Sequence, residues 1–148
     1  MTDKQFTIVR NLDATPQQVW DAWTRPALMA EWMHPKGVRT ARESVSSDVR
    51  VDGRYAYTMV HETTGTEYPV GGRYLELDPP KLLVCTWGAP EDPEDTAARV
   101  TVRLDPSDTG TRMTFTCAGI DAHPGDDNVY DGWSEALENL GLAVAATT

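Results

Sequence analysis

Cysteine is scarce in this sequence: two of 148 residues, Cys85 and Cys117, each inside an apolar run with strand character. Two such thiols do not make the disulfide framework of a small secreted domain. They read as buried free thiols acting as small hydrophobes, although a pairing between neighbouring strands stays open. Basic residues are also few, 13 Lys and Arg against 23 Asp and Glu, for a formal net charge of -10. Without a basic patch to displace counterions, the chain is not suited to nucleic acid or to an anionic membrane surface. Long hydrophobic runs are missing too; none approaches the roughly 20 residues that span a bilayer. The N-terminus, "MTDKQFTIVR", has the alternation of a strand and no apolar signal-peptide core, so a cytoplasmic location is expected. Recognisable catalytic motifs are absent as well. There is no G-x-S-x-G, no P-loop and no dinucleotide fingerprint. The three histidines, His34, His61 and His123, stand near expected loops or strand ends and lack the spacing of a zinc site. Asp121, Asp126, Asp127 and Asp131 do not follow the order of an EF-hand, and neither cysteine has an evident base partner. No catalytic constellation, no metal site and no cofactor are therefore expected.

What is present is a clear sequence of periodicities. The length fits one domain, residues 1–148, with a substantial core. Residues 6–12, "FTIVRNL", read as a strand. "TPQQVWDAW" then opens a short helix, with Thr15 as N-cap, Pro16 at the first helical position and Gln18 completing a capping box. A second short helix is expected at about 26–33, opened by Pro26 and stopped by Pro35 and Gly37. From 38 to 120 the period is two. Strands are expected at 38–45 (with a polar face), 53–60, 67–77, 81–87, 98–104 and 111–120, separated by turn signals at Asp52-Gly53, Gly65, Pro79-Pro80 and "PSDTG" (106–110). Gly71-Gly72 interrupts the 67–77 strand and predicts a bulge or a sharp bend. Leu83, Cys85 and Trp87 share one face; so do Tyr55, Tyr57 and Met59, and Met113, Phe115 and Cys117. Arg54 and Arg73, opposite in alternation to the tyrosines, are expected to face water. The acidic stretch "PEDPED" (90–95) reads as a solvated loop. The last segment returns to helical period, roughly 126–145, with Val129, Trp133, Leu137, Leu140 and Val144 on one stripe, Ala136 beside it, and Asp126 and Asp127 in its first turn. A meandering antiparallel sheet with one apolar face needs a cover, and this helix is the only element long enough to provide it. The expected class is α+β, a curved antiparallel sheet of about seven strands wrapped on a long C-terminal helix, with two short helices after strand 1.

The segments "ATPQQVWDAWTRPALMAEWM" (14–33), "DGRYAY" (52–57), "GGRYLELDPPKLLVCTW" (71–87) and "DGWSEALENL" (131–140) occur in an order and spacing that resemble the SRPBCC (START/Bet v-like, helix-grip) superfamily. Within it the chain resembles single-domain bacterial members of the branch named for the C-terminal domain of the activator of the Hsp-ninety ATPase. The resemblance covers nearly the whole chain. It implies a seven-stranded sheet gripping the C-terminal helix, with a hydrophobic cavity between them. It does not imply one activity, because relatives include lipid and polyketide carriers, cyclases, chaperone cofactors and antibiotic self-resistance proteins.

Five tryptophans in a chain of this size mostly pack a core, but some are expected to line that cavity, with apolar walls and a few polar groups setting ligand orientation. The candidate ligand-binding residues are Trp32, His34, Tyr55, Tyr57, Met59, Trp87, Phe115, Trp133 and Leu137. His34 follows the second helix, where the family's cavity mouth would lie, and the hydroxyls of Tyr55 and Tyr57 are candidate hydrogen-bonding groups. The leading expectation is a protein, monomer or weak homodimer, that binds a small hydrophobic or aromatic molecule without intrinsic catalysis. Three alternatives accompany it. The first is a cyclase or aromatase resting on His34, Tyr55 or His61. The second is a chaperone-modulating role in which the acidic surface meets a basic protein partner. The third is sequestration of an enediyne antibiotic, with Gly72 or Gly119 as the cleaved cavity glycine.

Overall fold

A computed structural model describes residues 4–89, 97–126 and 129–145. Both "PEDPED" and Asp127 lie outside them. Strand β1 (Gln5–Leu12) leads into helices α1 (Pro16–Thr24) and α2 (Pro26–Trp32). The strands β2 (Val38–Thr40), β3 (Ser46–Ser47), β4 (Arg54–His61), β5 (Glu67–Asp78), β6 (Leu82–Trp87), β7 (Ala98–Ser107) and β8 (Gly110–Ala118) follow, and helix α3 (Val129–Ala145) ends the chain. The sheet order is β1-β8-β7-β6-β5-β4-β2, with β3 added on β4, and every pairing is antiparallel. This is the curved α+β sheet that the period-two alternation predicts.

Local chemistry sets the elements. Thr15 and Gln18 form the expected capping box: the Gln18 amide donates to the Thr15 hydroxyl at 3.2 Å and the Thr15 amide to the Gln18 side-chain carbonyl at 2.8 Å. Two of the orphan donors at the start of α1 are thereby satisfied. The Trp32 indole donates to the Ala22 carbonyl at 2.8 Å and packs edge-on against Trp23, with ring centroids 4.7 Å apart, which locks α2 onto α1. At the start of α3 the Asp126 carboxylate accepts from the amides of Tyr130 and Asp131, both at 3.2 Å. The described part of the helix runs Val129–Ala145, and Asp126 meets two of its first amides.

The segment 38–45 is not one strand. Pairing stops after Thr40, and residues Arg42–Ser44 form a single 3-10 turn. Ser44 explains the break: its hydroxyl donates to the Ala41 carbonyl at 2.5 Å and accepts the Thr58 amide at 2.9 Å. A side chain thereby takes the hydrogen bond a ladder would use. Beyond the expected end at Leu104, β7 continues through Pro106 to Ser107, and the turn to β8 contains only Asp108 and Thr109. Pro106 is tolerated because the β6–β7 pairing ends at Arg103, so that one edge of β7 is free there.

The curvature is concentrated in β5. Its residues 67–73 pair with β4, its residues 74–78 pair with β6, and the two ladders meet near a bridge between Gly71 and Gly88. The register shift falls at Leu75, between Tyr74 and Glu76, so the bulge lies beyond the glycine pair. The glycine itself answers a different need. A Cβ on Gly72 would stand 1.9 Å from the Thr86 carbonyl oxygen and 2.8 Å from Cε1 of Tyr55. Backbone and ring approach too closely for any side chain. Tyr55 donates its hydroxyl to that same Thr86 carbonyl at 2.6 Å, stitching β4 to β6 across the bend. Arg54 is exposed as expected, whereas Arg73 is half-buried and pairs with Asp52.

The core lies between the concave face and α3. Phe115, Met113, Cys117, Leu137 and Leu140 are all fully buried there. Trp133 stacks on Trp23 at 6.2 Å and packs tilted against Phe115 at 4.6 Å, which places one helix residue at the centre of an aromatic cluster.

Candidate functional site

The concave face and the N-terminal half of α3 do not meet along their whole length. A cavity of about 160 Å³ opens at the mouth, where the end of α2, strands β4 and β6, and α3 converge. Met33, His34 and Pro35 supply one wall, Tyr57 and Met59 on β4 a second, Trp87 at the end of β6 a third. Val129, Gly132, Trp133 and Ala136 on α3 supply the fourth. These α3 positions fall at i, i+3, i+4 and i+7, one helical face. The face is hollow because Gly132 and Ala136 carry almost no side chain.

The rim is tied down on both sides. The Thr40 hydroxyl donates to the Met33 carbonyl at 2.7 Å, the Asn139 amide group to the His34 carbonyl at 3.0 Å, and the Lys36 amide to the Glu135 carboxylate at 3.0 Å. Three neighbouring residues are thereby fastened to β2 and α3. Behind the cavity, past Met33, Tyr57, Trp87 and Trp133, lies an interior void of about 20 Å³ bordered by Trp23, Tyr55, Tyr74, Leu83 and Cys85. It has room for little more than one water. A larger hollow, about 230 Å³, lies at the bend of the sheet beside Gly71, Gly72, Gly88 and Arg54. Its walls are mainly backbone and small residues.

The structure brings five of the sequence candidates together at the mouth: His34, Tyr57, Met59, Trp87 and Trp133. Tyr55 borders the interior void. Trp32, Phe115 and Leu137 are packed in the core and line neither the mouth nor the interior void. Met33, Pro35, Val129, Gly132 and Ala136 line the mouth without having been singled out by sequence. Of the other groups considered for acid–base work, His61 sits at the β4–β5 turn, where its Nδ1 accepts the amides of Thr63 and Thr64 at 3.2 Å. No group of three or more His, Cys, Asp or Glu among the described residues could hold a metal ion.

The electrostatics are those of a neutral site. No Asp, Glu, Lys or Arg lines the mouth cavity. Burial pushes the Tyr57 phenol up, a hydrogen bond from the Trp87 indole at 3.2 Å offsetting only part of the effect. Tyr55 rises well above the usual phenol range, first through burial and then through the neighbouring Cys85. Burial also pushes the Cys85 thiol up to about 12, with the Tyr55 hydrogen bond acting the other way. Both cysteines are free and buried, and Cys117 is likewise raised to about 12 by burial. At neutral pH these groups hold their protons. The arrangement is suited to enclosing an apolar molecule and offering it hydrogen bonds.

No helix among the described residues is long and apolar enough to cross a membrane. The chain superposes on a protein of Chromobacterium violaceum with a TM-score of 0.83 at 28% identity, covering 96% of this chain and 98% of the other. It superposes on a protein of Nitrosomonas europaea with a TM-score of 0.81 at 22% identity, covering 97% and 96%. For an AHSA1-like protein of Aeromonas hydrophila the TM-score is 0.79 at 21% identity, covering 97% and 93%. No curated protein matches the sequence. The model of the family described as "Activator of Hsp90 ATPase homolog 1-like protein" matches residues 13–145. The chain belongs to that family, whose SRPBCC fold commonly binds hydrophobic ligands.

Proposed function

We propose that this protein binds a small hydrophobic or aromatic molecule in the mouth cavity between the sheet and α3, and that binding rather than turnover is its role. The observation that carries the reading is the cavity itself: about 160 Å³, walled by Trp87, Trp133, Met33 and Met59, and free of charged side chains. That volume is comparable to the roughly 150 Å³ of an engineered apolar cavity that admits benzene. One aromatic ring with a small substituent fits it fully, and a larger molecule would extend through the open mouth. Apolar walls with a few polar groups are the usual composition of such sites.

The test is a native mass spectrum of the protein purified from its own host, followed by a denatured one, together with an NMR titration against ethylbenzene. A mass increment that vanishes on denaturation, or saturable shifts confined to the residues of the mouth, is the expected result. An unliganded mass combined with no response to the probe overturns the reading.

A further inference from the structure

The polar inventory of the cavity is lopsided. The Tyr57 oxygen accepts from Trp87 Nε1 at 3.2 Å, and the hydroxyl proton goes to no acceptor among the described residues. Trp133, only 6% exposed, has a buried Nε1–H with no partner among the described residues; Trp23, stacked against it, has another but borders the interior void rather than the mouth. An indole N–H can only donate. Buried donors of this kind are rare in folded proteins, and each one left unmade costs on the order of 1–3 kcal/mol. His34 stands at the rim with Nδ1 at 3.4 Å from the Pro35 carbonyl. The cavity therefore has hydrogen-bond donors to spare, and no carboxylate, lysine or arginine in its lining.

We propose that the mouth cavity selects an uncharged aromatic molecule bearing a hydrogen-bond acceptor, such as an aryl ketone, and that the Tyr57 hydroxyl is the group that reads the acceptor. The inference rests on the binding reading above and adds to it the chemical class of the ligand. A ketone oxygen offers two lone pairs and no proton, which complements donors that lack acceptors. A carboxylate would offer lone pairs too, but would bring a charge into walls that hold no lysine or arginine to pair it. A plain hydrocarbon would fill the volume and leave Tyr57 unsatisfied.

The experiment uses three probes of similar size, acetophenone, ethylbenzene and benzoate, titrated into the whole protein and followed by the indole N–H signals of its five tryptophans. Acetophenone is expected to bind at least about threefold more tightly than ethylbenzene, the fold-change that one net hydrogen bond supplies. Benzoate is expected to bind most weakly. In the Tyr57→Phe variant the preference for acetophenone over ethylbenzene is expected to fall to near unity while ethylbenzene still binds. The shape of the ring is kept, and Trp87, whose N–H is freed, is itself half-exposed. Equal affinities for the ketone and the hydrocarbon in the wild type overturn the inference and leave the binding reading standing. So does a ketone preference that survives Tyr57→Phe, or benzoate binding as tightly as acetophenone. Failure of all three probes to bind overturns both.

Discussion

Two glycines of α3 allow stability and binding to be separated. Gly132 lines the mouth cavity, and a Cβ there would lie 3.8 Å from Pro35 Cβ, an ordinary contact. Gly141 lies on the same helix away from the cavity, and its Cβ would lie 3.6 Å from Leu12 Cδ2. Replacing glycine by alanine inside a helix gains about 1 kcal/mol. For a chain of this length that corresponds to about 2–4 °C in Tm. Gly132→Ala and Gly141→Ala should therefore each raise the melting temperature by a similar amount. Their effects on ligand should differ. The methyl added at 132 occupies cavity space, so a ligand filling that space gives up contact worth about one methylene, about 0.8 kcal/mol. That is about fourfold in Kd. The methyl added at 141 should leave Kd unchanged, and Gly132→Leu should abolish binding in a protein that still melts cooperatively. Circular dichroism melts and NMR titrations with ethylbenzene read both quantities. Equal losses of affinity in the two alanine variants, or undiminished binding in Gly132→Leu, would show that the mouth cavity is not the site. A lowered Tm for Gly132→Ala would show that α3 has no room at that position.

Other predictions concern the frame around the cavity. Gly72→Ala should cost more than about 3 kcal/mol, because the obstructing atom is the Thr86 carbonyl oxygen at 1.9 Å and cannot rotate away; urea denaturation reads the loss, and a cost below about 1 kcal/mol would contradict the close approach. Leu137→Ala should cost about 2–5 kcal/mol by opening a void in the fully buried core, without changing the ranking of cavity ligands. Cys85 and Cys117 should resist thiol reagents in the native state at pH 8 and react on denaturation, since both thiols are pushed up to about 12. The same shift sets a pH dependence. A thiol with an ordinary value of about 8.5 in the unfolded chain releases its proton there first, so its contribution to stability is complete below that value and is lost as the pH rises toward 12. The urea midpoint should accordingly fall as the pH is raised above about 9, and a midpoint that rises over that interval would reverse the assignment.

Much of the fold is legible from local pattern. The Thr15–Gln18 box, the Pro26 start and the alternation of Ala98, Val100, Val102 and Leu104 are decided by neighbours in sequence, and the structure follows them. Where a distant group decides, the pattern fails. Ser44 takes the Thr58 amide and ends a strand that its own neighbours would have continued. The demand for Gly72 is made by Thr86 and Tyr55, whereas the bulge that a glycine pair suggests falls at Leu75. The cavity was legible in its large residues only. Trp87, Trp133 and Tyr57 stand out as aromatics on apolar faces, yet the same criterion selects Trp32 and Phe115, which fill the core. A hollow is made by what is small, and Gly132 and Ala136, four residues apart beside the Trp133 stripe, were the signal in the sequence that marked it.

The fastening of residues 33–36 to β2 and α3 has a kinetic consequence. With its backbone held by Thr40, Asn139 and Glu135, the stretch 33–36 is not free to swing aside, so on that side of the mouth entry and exit depend on the side chains that border the opening. Met59 and His34, both half-buried, border it, and side-chain rotamer changes are faster than collective motions of the chain. A guest of one ring should therefore come and go without waiting for any collective opening of the protein. Its residence time would be set by how well it is held inside, and this protein would track the free concentration of its ligand from moment to moment.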